Sequence, residues 1–196
     1  MKKNLIAIIA VILFIVIGFM WYTSKYNSMV TLDEEATAGW AQVENVYQRR
    51  SDLIPNLVNT VKGAANFEKE TLTQVIEARS KATSVKIDPQ NITPEQISQF
   101  QSAQSGVSGA LSRLLVTVER YPDIKANKNF LELQTQLERT ENRISVERRR
   151  FNELVKNFNA YIRRFPNSFI SNLAGFQSKV YFESDEGADK APKVSF

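Results

Sequence analysis

Three regimes of hydrophobic patterning succeed one another along the chain. Leu5 to Tyr22 (LIAIIAVILFIVIGFMWY) is eighteen residues without a charge or a proline. As a helix this run reaches about 27 Å, close to the roughly 30 Å hydrocarbon core of a bilayer. Beyond it, apolar residues recur at steps of three and four: Ala36, Trp40, Val43, Tyr47, then Ile54, Leu57, Val61 and Ala64, with Arg50 occupying a place in the same stripe. That spacing predicts one face of a helix. It resumes at Leu72, Val75 and Ile76 and fades near Ala82, and Pro89 within Lys86–Asn91 (KIDPQN) predicts a turn.

The next stripe runs Ile97, Phe100, Gln104, Val107, Leu111, Leu114, Val118 and Tyr121 and stops at Pro122. The last is the longest: Leu133, Leu137, Glu141, Ile144, Arg148, Phe151, Val155, Phe158, Ile162 and Phe165, ending at Pro166. From Asn127 to Phe165 such a helix spans about 58 Å. Thr31-Leu32-Asp33-Glu34 and Thr93-Pro94-Glu95-Gln96 both fit capping boxes, the second with proline at the first helical position. No alternating strand pattern occurs. The predicted fold is all-α: an N-terminal transmembrane helix followed by an elongated antiparallel up-and-down four-helix bundle. Four segments follow: an anchor over residues 1–27, a bundle over 28–166, an aromatic docking segment over 167–182 and a mobile acidic tail over 183–196.

Trp21, Tyr22 and Tyr26 suit an aromatic belt at the membrane surface, and the apolar run is long for a cleaved signal peptide, so an uncleaved anchor is expected. Lys2 and Lys3 precede the span, and Lys25 alone follows it closely, which places the N-terminus in the cytoplasm and the bundle outside it.

Charges on apolar stripes are costly unless paired. Arg50, Glu141 and Arg148 stand there, so Arg50 or Arg148 is expected to pair with Glu141 between helices. Asp52, Asn142, Asn152 and Asn159 complete a polar layer that fixes register. Pro55, just after Arg49-Arg50-Ser51-Asp52, either kinks one continuous helix or follows a corner at Arg50-Ser51; both readings stand.

Composition narrows the chemistry. The chain has no cysteine and no histidine, which excludes thiol and Ser-His-Asp catalysis, disulfides, zinc fingers and the Glu-x-x-His pattern of di-iron bundles. No Gly-rich phosphate loop or EF-hand loop is present. Neither a cofactor, a metal nor a small-molecule substrate is expected. The net charge of +4 is spread among acids, and Arg143–Arg150 (RISVERRR) reads as a solvated helix face, so no nucleic-acid partner is implied. The expected partners are the lipid bilayer, through Leu5–Tyr22, and a protein or a second copy along the lateral faces. The chain end, Val194-Ser195-Phe196, either packs on its own domain or is captured by a PDZ-type domain through strand addition.

Several blocks in order carry a resemblance: Tyr26-Asn27, Trp40 with Gln42-Val43, Arg49-Arg50-x-Asp52-Leu53-Ile54-Pro55-Asn56-Leu57-Val58, Val61-Lys62-Gly63 and Tyr121-Pro122-Asp123. Glu141-Asn142-Arg143-Ile144, Asn152, Val155, Asn159, Phe165-Pro166, Gly175-Phe176, Tyr181-Phe182 and Ala191-Pro192-Lys193-Val194-x-Phe196 continue it. Over nearly its whole length the chain resembles the LemA family. The resemblance implies a bacterial membrane protein with one N-terminal span and an antiparallel four-helix bundle, and favours a corner near Ser51 or Gly63. The family brings no defined catalytic residues. The function expected is a non-enzymatic interaction or scaffold module at the cell envelope. The alternatives are a regulatory partner whose tail is read by a PDZ-containing protease or chaperone, and an envelope enzyme.

Overall fold

The computed structural model describes residues 2–63 and 67–183. Among them are six helices and no strand: α1 (Lys2–Lys62), α2 (Lys69–Ser84), α3 (Pro94–Val118), α4 (Pro122–Lys125), α5 (Lys128–Arg163) and α6 (Asn167–Ala174). The fold is all-α, as the stripes predict.

The dominant element is α1. Its 61 residues run unbroken from the apolar N-terminal stretch into the bundle, about 90 Å at the helical rise. This overturns two expectations. Thr31 caps nothing: it lies inside the helix, and its hydroxyl donates to the carbonyl of Asn27 at 3.0 Å. Phe19 to Val30 contains neither Gly nor Pro, so the helix reaches Thr31 unbroken and the backbone amides that a cap would serve are already bonded one turn back. Nor is there a corner at Arg50-Ser51: Pro55 sits within the continuous helix, and of the two corner positions the resemblance favours it is Gly63 at which α1 ends. Proline has no N–H to give the carbonyl four residues earlier, that of Ser51. Arg79 of α2 takes that place, its Nε donating to the Ser51 carbonyl at 2.8 Å. The proline thus leaves an acceptor by which α2 is docked.

Four helices form the membrane-distal body: the C-terminal part of α1, then α2, α3 and the N-terminal part of α5. Leu53, Ile54, Leu57 and Val61 pack there with Val75, Leu114, Val118, Ile124, Phe130 and Leu137. Thr93 caps α3 as predicted: its hydroxyl accepts from Gln96 N and the Gln96 side chain accepts from Thr93 N. Pro122 ends the α3 region by opening α4, and the Asn127 side chain caps α5.

Below this body, toward the apolar run, α1 and α5 continue as the antiparallel pair against which the other elements pack. They approach closely at Gly39, where a Cβ would lie 2.6 Å from the tip of Leu154. Their middle is an aromatic cluster around Trp40, with Phe100, Phe151 and Phe182. Their lower end holds Met29, Phe158 and Ile162 together with Ile170 of α6. After α6, Gly175 takes a left-handed conformation (φ 81°) and Phe176 N bonds back to Ser171 O, the closing pattern that favours glycine. The chain then runs as an extended strap, 176–183, up the α1–α5 groove. Residues 184–196, including Val194, Ser195 and Phe196 and most of the expected acidic tail, lie outside the described residues.

Candidate functional site

Two polar constellations stand out, one on each side of the aromatic cluster. The first is centred on Arg50, which the periodicity of α1 points into the bundle; it is 2% exposed. Its Nη1 donates to Glu141 Oε2 of α5 at 2.8 Å and to Ser108 Oγ of α3 at 2.9 Å. Its Nη2 donates to the carbonyl and the side-chain oxygen of Gln104 at 3.2 and 2.6 Å. The guanidinium also lies 5.1 Å from the Tyr47 ring centroid. One side chain therefore ties three helices together. The four N–H groups of its two terminal nitrogens are all used internally, leaving none of them for a ligand. Glu141 is not the buried partner that its stripe position predicts: its side chain is 53% exposed, so the ion pair spans from the core to a wet rim.

The other expected members of that layer disperse. Asp52 is exposed and accepts from Gln48 within its own helix at 2.8 Å. Asn142 is exposed. Arg148 turns away from Glu141: its Nη2 donates to the Glu183 carbonyl at 2.8 Å and its guanidinium covers the Phe182 ring. In place of Glu141 the buried acid of α5 is Glu147, 4% exposed, held by Arg143 Nε at 3.1 Å, with Arg150 Nη1 4.0 Å away. The run Arg143–Arg150 is thus not wholly a solvated face; it roofs a carboxylate. Gln104, on the apolar stripe of α3, was the one visible sign of Arg50's partners there; nothing local announced Ser108 or Arg79.

Asn152 and Asn159 build the second constellation. Asn152 Nδ2 donates to the Phe182 carbonyl and its Oδ1 accepts from Phe182 N, both at 2.9 Å. Asn159 does the same for Lys179, with both contacts at 2.8 Å. Residues seven apart lie on one helix face, so the two carboxamides read an extended backbone at two points three residues apart. Each carboxamide offers one donor and one acceptor, as a neighbouring strand would. The Phe182 ring then stacks on Trp40 (5.5 Å, 14°) and meets Phe151 edge-on. Lys179 Nζ reaches Asp33 at 3.0 Å, and the Glu183 carbonyl also accepts from Gln101. This is a peptide clamp occupied by the protein's own chain.

Between α1, α2 and α3 a cavity of about 170 Å³ is lined by Glu44, Gln48, Ser51, Arg79 and Lys86 among others. Burial pushes the Glu44 carboxyl above its ordinary value; the Trp40 indole N–H opposes the shift but makes no hydrogen bond of normal geometry, so burial prevails. Among the described residues no three His, Cys, Asp or Glu side chains gather as a metal site would require.

The model of the LemA family matches residues 39–196. "Magnetosome protein MamQ 2" of Paramagnetospirillum magneticum is 26% identical, over 94% of this chain and 72% of that protein. "Magnetosome protein MamQ" of Magnetospirillum gryphiswaldense is also 26% identical, over 84% of this chain and 67% of that protein. "Protein LemA" of Metamycoplasma hominis is 25% identical, over 89% and 76%. The family match begins on the α1–α5 contact at Gly39 and takes in Arg50, Glu141, both clamp asparagines and the strap: the chain belongs to the LemA family.

Proposed function

We propose that this LemA-family chain is a non-enzymatic scaffold that holds a helical bundle at a fixed attitude to a bacterial cytoplasmic membrane. Its N-terminus lies on the cytoplasmic side and the bundle outside. The observation that carries the reading is the continuity of α1 from the apolar run through Lys62. A hinge or linker would let the bundle swing; an unbroken helix packed on α5 passes the orientation of the span to the body above it. The saturation of Arg50 within the fold supports a structural role for the polar layer. A lateral groove between α1 and α5, lined by Arg49, Arg139 and Arg143 with Val46 between them, is the face offered to a partner. Three guanidinium groups there fit an acidic protein surface.

The strap supports a second reading. It anchors Glu183 near Trp40, eighteen helical residues beyond Tyr22 and so about 27 Å above the end of the apolar run. The Val194-Ser195-Phe196 end follows this anchored point in sequence, and a PDZ-type domain would take it by strand addition.

A photoreactive residue at Gln136 in intact cells tests both. The scaffold reading expects a discrete cross-linked protein from Gln136, unaffected by removal of Val194–Phe196 and absent when the photoreactive residue is moved to Val116 on α3. Loss of the adduct on that truncation would transfer the function to the tail. No adduct from Gln136 in either chain would contradict the scaffold.

A further inference from the structure

We infer that α6 and the turn before it form a second, monotopic contact with the bilayer, in which Phe165, Phe169 and Leu173 lie in the headgroup–acyl boundary beside the span. These three side chains are 90%, 74% and 71% exposed; Phe169 and Leu173, four apart, share one side of α6, and Phe165 stands in the turn that leads into it. Their inward neighbour Ile170 is 1% exposed and packs with Met29, Phe158 and Ile162. The helix is therefore seated on the body and presents a bare apolar side that the fold does not cover.

Its position identifies the occupant. The same cluster includes Tyr22, the last residue of the apolar run; Tyr26 lies against Phe176 at 5.8 Å and Lys25 lies 6.0 Å from the Tyr161 ring centroid. The corner thus stands at the level where α1 leaves the lipid, continuous with the exposed surface of the span. Charge agrees with this. From Leu154 to Phe182 there is no Asp or Glu, while Lys156, Arg163, Arg164 and Lys179 are present, and Arg163 and Arg164 are both exposed. An aromatic–aliphatic face flanked by arginines is what an anionic lipid surface binds: the rings partition into the boundary and the guanidinium groups pair with phosphates. A soluble partner would meet the same face only after displacing lipid already beside it.

The inference rests on Leu5–Tyr22 being a span, and one experiment separates the two. The chain has no cysteine, so the full-length variants M20C, F169C and V116C each accept a single environment-sensitive fluorophore. They are reconstituted in vesicles of phosphatidylethanolamine and phosphatidylglycerol carrying a headgroup-proximal spin-labelled lipid. Fluorescence at 20 and 169 is expected to be quenched several-fold more than at 116, the exposed control on α3. Quenching at 20 but not at 169 overturns the second contact and leaves the span intact. Absence of quenching at both removes the span itself. A blue-shifted but unquenched fluorophore at 169 means that protein covers the face, which also overturns the proposal.

Discussion

Replacing Trp40 with alanine is expected to lower the stability of the folded body by about 4 kcal/mol, at the upper end of large-to-small core substitutions. Trp40 is fully buried, and its ring meets Phe100, Phe151 and Phe182 at centroid distances of 5.4 to 5.6 Å. These rings come from α3, α5 and the strap, so the cavity opens where three elements meet and no single one can collapse into it. The strap should loosen first. Phe182 would lose its stacking surface, leaving 176–183 held mainly by polar contacts: those of Asn152 and Asn159, the Lys179–Asp33 pair and the bonds of Gln101 and Arg148 to the Glu183 carbonyl. Tryptic cleavage after Lys179 should therefore accelerate in W40A under conditions where wild type resists. W40F should cost much less, because Trp40 Nε1 has no hydrogen-bond partner to lose. A denaturation midpoint in W40A equal to wild type would show that the cluster does not bind the strap.

The second large effect is at Arg50. R50A removes four hydrogen bonds, a cation–π contact and a buried stem, and a loss of about 3 kcal/mol is expected. That is near the lower end for breaking a buried charge pair, because the stranded carboxylate is not itself buried. Glu141 simply rehydrates. The converse substitution should be mild: E141Q keeps an oxygen to accept from Nη1, and Gln104 and Ser108 still hold the guanidinium, so a change of about 1 kcal/mol or less is expected. Chemical denaturation of the two variants side by side checks the asymmetry. Equal, large losses would mean that Glu141 is buried after all.

The helices were readable from local pattern because stripes at steps of three and four report burial over many turns. The Thr93 cap was readable for the same reason: proline at N1 and glutamine at N3 coincide with the start of a stripe. Thr31-Leu32-Asp33-Glu34 has a similar local signature without a cap, since a helix already running through it leaves no free amide to serve. The stripe of α5 was right in rhythm and wrong in detail. Steps of three and four leave the phase loose by one residue, which is how Glu147 rather than Glu141 or Arg148 came to lie inside. The clamp was beyond local reading. Asn152 and Asn159 do lie inward, but their partners are backbone groups 20 and 30 residues later, and backbone partners leave no side-chain trace in sequence. The Ser51 carbonyl freed by Pro55 and taken by Arg79 is of the same kind: proline announces a missing donor, not who replaces it.

Rigid passage of α1 from lipid to bundle is the premise on which the scaffold and the membrane contact of α6 both stand. Nitroxides at S24C and Q42C, both exposed positions that bracket the Thr31 region, measure it directly by pulsed electron–electron resonance on the full chain in lipid nanodiscs. One continuous helix gives a single narrow distance distribution near 27 Å, from eighteen residues at about 1.5 Å each. A broad distribution, or a main peak well away from that value, would mean that the helix breaks between span and bundle, which contradicts a scaffold of fixed attitude.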